Sequence, residues 1–131
     1  MNLYHISDDF LGEDPLLSPR VPKYRMEGRC IYHKYLKKQI KEDGRLPRVC
    51  VSNKISGCLS AVAASLKNNF FVYLAVKPRY VSRDLPLMLV PDAKKTGERW
   101  ILKRTKFKLV GTIMVTNPQE YKWRWVEKLK D

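Results

Sequence analysis

PRVCVSNKISGCLSAVAASLKNNFFVYLAVKP, residues 47–78, holds the pattern that decides the fold. Pro47 opens the stretch. Residues 48–52 alternate and are rich in β-formers, so they read as a strand. Ser52 or Asn53 can cap a helix that follows. Ile55, Leu59, Val62 and Leu66 recur at helical spacing. That spacing puts them on one face and predicts a helix over 55–66. Asn68 and Asn69 end it. Residues 70–76 are continuously apolar and predict a buried strand, closed by Lys77 and Pro78.

Upstream, residues 2–6 read as a short strand. Residues 8–22 form a loop, acidic at first and broken by Pro15, Pro19 and Pro22. Ile31, Tyr35, Leu36 and Ile40 predict a helix over 30–41, stopped by Asp43-Gly44. Downstream, residues 87–90 read as a strand between two prolines and 92–97 as a polar turn. Residues 100–102 and 106–116 pair as neighbouring antiparallel strands. The tail, 119–131, reads as a final strand or a short helix. The order predicts an α+β fold, a twisted and mainly antiparallel sheet carrying one or two helices. A chain of 131 residues fits one domain, 1–131.

Charge is the strongest compositional signal. Lys and Arg number 26 against 13 Asp and Glu, a net of +13. The four acids before Arg20 face no cation, so residues 20–131 carry all 26 cations against nine acids. Such a field concentrates polyanions, so the expected partner is an acidic macromolecule, a nucleic acid or a protein acceptor. Cys30, Cys50 and Cys58 form no C-x-x-C pair, and with two histidines no Cys/His cluster has zinc spacing, so no metal site is expected. Three thiols in an odd count predict a reducing, cytoplasmic setting. No apolar run approaches a membrane span, and no start signal for secretion is read at residues 1–7.

The glycines form neither G-x-G-x-x-G nor a P-loop, and G-x-S-x-G is absent. Two features remain. In Tyr4-His5-Ile6-Ser7, strand alternation points His5 and Ser7 the same way, and an imidazole can hold a ribose hydroxyl or a phosphate. In Thr96-Gly97-Glu98-Arg99-Trp100, Glu98 stands alone among cations where a glycine turn meets an apolar strand.

In this order the segments resemble the ADP-ribosyltransferase fold, particularly the small versions encoded by phages and mobile elements. Tyr4-His5-Ile6-Ser7 is similar to that family's first strand, residues 48–52 to its second, and Thr96-Gly97-Glu98 to the start of a later one. The resemblance implies NAD as cofactor and transfer of ADP-ribose to a macromolecular acceptor. It implies Glu98 as the catalytic carboxylate beside the ribosyl cation. His5, Ser7, Ser52 and Arg48 would be the cofactor-binding residues. On this reading His5 and Glu98 face one common cleft.

The rival reading is a non-enzymatic basic domain that binds nucleic acid. It rests on the charge, on Lys34-Tyr35-Leu36-Lys37-Lys38, and on Tyr121-Lys122-Trp123-Arg124-Trp125. There cations meet phosphates and aromatic rings meet bases. The strict period of two in Tyr121, Trp123 and Trp125 equally fits a strand with one face in the core.

Overall fold

The computed structural model describes residues 1–20, 30–33, 38–41, 47–59, 67–89, 93–117 and 119–129. The protein is α+β, and among the described residues it has an open, mainly antiparallel eight-stranded sheet and short helices. Its strands are β1 (Tyr4–Ser7), β2 (Leu16–Leu17), β3 (Cys30–His33), β4 (Lys38–Lys41), β5 (Val49–Ser52), β6 (Asn69–Ala75), β7 (Val81–Ser82), β8 (Glu98–Ile101), β9 (Thr105–Asn117) and β10 (Lys122–Lys128). The helices are α1 (Ile55–Cys58), α2 (Asp84–Leu89) and α3 (Ala93–Thr96).

The sheet runs β10-β9-β6-β1-β5-β8-β7, and β2 joins β9. β9 is long enough to serve two partners on its outer edge. Glu13, Pro15 and β2 take the first half, where Leu109 N–H donates to Glu13 O (2.8 Å) and Phe107 N–H to Pro15 O (2.8 Å). β10 takes the second half. A bulge at the middle of β9 falls at Gly111, whose φ of +154° is costly for a side-chain-bearing residue. A Cβ there would also sit 2.8 Å from the Trp125 ring, so the glycine lets β10 close on β9.

Alternation divides the core between two faces. One face packs Ile6, Phe70, Val72 and Ile113 against Ile55, Cys58 and Leu59 of the α1 segment, with Trp123 and Trp125 at its margin. The other packs Leu3, Val49, Val51, Tyr73, Ile101 and Phe107. The N-terminal loop ties down on this second face: Leu11 N–H donates to the Tyr73 hydroxyl (2.8 Å), which donates on to Gly12 O (3.1 Å). Tyr73, Trp100, Phe107 and Ile113 are wholly buried. Each such side chain is worth about 1.5–3 kcal/mol in apolar area removed from water.

The central strands lie close to where the sequence pattern places them, and the tail resolves as β10, but residues 100–102 and 106–116 do not pair as neighbours: β8 lies between β5 and β7, and β9 lies between β6 and β10. Three other elements differ. The segment read as a helix over 30–41 holds two paired strands, Ile31 opposite Ile40 and Tyr32 opposite Gln39. Ile31 and Tyr32 favour a pleated strand, and the pairing of the two segments prevails over the helical spacing and over the helix preference of Lys38, Gln39 and Lys41. Residues 87–89 of the strand read at 87–90 belong to α2, which accepts Pro86 in its first turn after Asp84, and residue 90 lies outside the described residues. The polar turn at 92–97 contains α3, ended by Gly97 at φ +71°. Residues 60–66 of the helix read over 55–66 lie outside the described residues, as do residues 34–37 of the basic stretch at 34–38.

Candidate nucleic-acid interface

The three strands carrying the transferase-like motifs are consecutive: β1, β5, β8. Tyr4 pairs with Ser52, and Ser52 pairs with Glu98. Paired residues share a face, so Tyr4, Ser52 and Glu98 lie on the α1 side. His5 and Ser7, one residue out of phase, lie on the opposite side. His5 packs edge-on against Phe107, with ring centroids 5.9 Å apart. The expectation that His5 and Glu98 share a cleft is therefore corrected. A strand's period is two, and the register fixed by Tyr4 and Ser52 leaves no freedom to bring both side chains to one face.

Each nominated side chain is also engaged within the fold. His5 Nδ1 lies 2.8 Å from Cys50 O. Burial depresses the imidazole pKa below its ordinary value, the Cys50 carbonyl opposes that shift, and Arg20 adds to it. Ser7 accepts the Asp9 N–H (3.1 Å). Ser52 is buried and donates to Thr96 O at 2.6 Å. Arg48 is buried, its guanidinium 3.9 Å above the Trp100 ring. The Trp100 indole N–H donates to Glu98 Oε2 at 2.6 Å. A Cβ on Gly57 would collide with Thr96 O and Ser52 Oγ, so α1 is seated directly on this cluster. These residues do not fit a common NAD site: two lie on one face, three on the other, and the latter are packed beneath α1.

Two thiols border the Arg48–Trp100–Glu98 cluster. Burial first, and then the Glu98 carboxylate, push Cys50 up to about 11. Burial and the neighbouring Cys50 push Cys58 up to about 12. Both stay protonated at neutral pH and are poor nucleophiles. The cluster reads as a packed polar layer within the core.

A different site appears where two turns meet at one end of the sheet. The chain between β6 and β7 runs beside the chain between β8 and β9. Val76 N–H donates to Lys106 O (2.9 Å), and Leu102 N–H donates to Tyr80 O (3.1 Å). Residues 76–83 and 102–109 hold seven cations and no acid. Lys77, Arg79, Arg83, Lys103, Arg104 and Lys106 are all exposed. Tyr80 stands among them, 62% exposed. The Lys103 ammonium lies 4.6 Å from its ring centroid. Glu13, on the outer edge of β9 opposite Leu109, bounds the patch on one side.

Sequence reasoning passed over this patch. Its two halves are about 25 residues apart, and neither is a dense charge run. The signal available was an acid-free stretch on each side of the strand pair.

The tail resolves toward packing. Trp123 and Trp125 are half-buried against the α1-side core, with ring centroids 5.4 Å apart at 85°. Lys122, Arg124 and Lys128 point to solvent along this edge strand, where charge discourages pairing with another chain. Among the described residues, no helix is long and apolar enough to cross a membrane. No known protein family, curated protein or solved structure matches the chain.

Proposed function

We propose that this chain is a non-enzymatic basic domain that binds nucleic acid through the paired turns at residues 76–83 and 102–109. The observation that carries the reading is six exposed cations and an exposed tyrosine on two adjoining turns, with no acid in either turn. Lys and Arg neutralise phosphates and release condensed counterions, and the protein's net charge of +13 adds a long-range attraction.

The test is a binding isotherm for labelled oligonucleotides as a function of salt. Contact with about five phosphates gives a log–log slope of about −3.5 on a single strand, roughly a hundredfold loss of affinity between 50 and 200 mM salt. Replacing Lys103 and Arg104 together by Ala removes two contacts. The slope then falls by about 1.4, and affinity at 0.1 M salt drops about 25-fold. Affinity that ignores salt, or a double variant that binds like the wild type, would refute the assignment.

One observation favours a second reading, an ADP-ribosyltransferase-like protein acting on an acidic acceptor: the three motif-bearing strands are neighbours in the expected places. Against it stands the separation of His5 and Ser7 from Glu98, Ser52 and Arg48. Nicotinamide release from labelled NAD tests this reading, and loss of that release in Glu98→Gln would restore it.

A further inference from the structure

We infer that Tyr80 is a stacking platform for an unpaired base, so that the occupant of the basic turns is a single nucleic-acid strand and not a duplex. The inference rests on the nucleic-acid reading above and goes beyond it by naming the form of the ligand.

Tyr80 adopts φ +56° and Lys77 adopts φ +46°. This left-handed region is unfavourable for a bulky side chain, while Gly or Asn would enter it with little strain. The turn therefore carries a tyrosine where its backbone favours a smaller residue. The core does not account for the ring, which is 62% exposed. The backbone that carries the ring is tethered. The Tyr80 carbonyl accepts the Leu102 N–H at 3.1 Å, which fixes the turn against the neighbouring one. Lys103 lies 4.6 Å from the ring centroid, a cation held by the π system.

An exposed aromatic ring carried on a turn with exposed cations in the same and the neighbouring turn is the arrangement that holds single strands. The backbone runs over Lys77, Arg79, Lys103 and Arg104, and one base leaves it to lie on Tyr80. A duplex keeps its bases stacked inside and offers only phosphates to the same cations. Base stacking is tolerant of sequence because every base has a π face. DNA and RNA single strands share that chemistry, and comparing the two separates them as sources.

The experiment measures the affinity of the full chain for a labelled single strand, as DNA and as RNA, and for the duplex of the same sequence. Tyr80→Asn removes the ring and suits the left-handed backbone, so the fold is retained, as an unchanged melting transition will show. Single-strand affinity is expected to fall about 5- to 150-fold, the range for loss of one aromatic–base stack. Duplex affinity is expected to stay unchanged. Tyr80→Trp is expected to restore single-strand binding to the wild-type level or above. Equal losses on single strand and duplex, or no loss on either, would overturn the stacking platform while leaving the salt-dependent reading intact. Wild-type protein that binds neither form at low salt would overturn both.

Discussion

Trp100→Phe probes the polar layer beneath α1. Trp100 is wholly buried, donates its indole N–H to Glu98 at 2.6 Å and carries Arg48 on its ring. Phenylalanine keeps an aromatic face for Arg48 but loses the donor and part of the ring. A hydrogen bond to a charged group is worth about 1.5–3 kcal/mol, and the lower end applies because Glu98 is half-buried. The missing ring volume, about 40 Å³, adds about 1 kcal/mol of cavity cost. The sum is about 2.5 kcal/mol. With an unfolding entropy near 2.1 cal/mol/K per residue, a chain of 131 residues loses about 9 °C in Tm. Differential scanning calorimetry reads the shift directly. A double-mutant cycle with Glu98→Gln should show coupling of about 1 kcal/mol, because the neutral amide still accepts the indole N–H but without charge assistance. A shift below about 3 °C, or strict additivity with Glu98→Gln, would refute the account of this layer.

Two further outcomes follow from the same packing. Because burial depresses the His5 pKa, the unfolded chain binds a proton that the folded chain resists. Stability should therefore be fully present above about pH 6.5 and fall as the pH drops below that value, with a slope of at most about 1.4 kcal/mol per pH unit from this residue. His5→Phe should flatten the acid limb of the stability–pH curve measured by urea unfolding, and an unchanged limb would assign the acid sensitivity elsewhere. With Cys50 at about 11 and Cys58 at about 12, a Cys30→Ser variant should resist thiol-alkylating reagents at pH 8 until denaturant is added. Rapid labelling of the native variant would show that the thiols are reactive in the folded protein.

Local patterns were sufficient for much of the sheet. The alternation at residues 48–52, the apolar run at 70–76 and the β-rich stretch at 106–116 each match a strand to within a residue or so, because side-chain period and burial are properties of neighbouring residues. The local signal was weakest where two states compete closely. Ile31 and Tyr35, like Leu36 and Ile40, sit four apart as in a helix, yet Ile31 and Ile40 belong to two facing strands. Pro86 reads as a strand breaker or as a first-turn helix residue with equal ease.

The candidate sites divide along the same line. By itself the sequence determined the excess of positive charge, its confinement to residues 20–131 and the solitary Glu98, since these are sums and spacings along the chain. It also determined that His5 and Ser7 share a face. Which face that is relative to Glu98 depends on the pairing of Tyr4 with Ser52 and of Ser52 with Glu98, contacts between residues more than forty positions apart. Only tertiary structure supplies that register, and a shift of one residue would have reversed the outcome. It also decided the basic interface. Tyr80 and Lys103 are ordinary residues of separate turns until the Leu102 N–H bonds to the Tyr80 carbonyl and sets one turn beside the other, because long-range hydrogen bonding, not composition, determines which charges become neighbours.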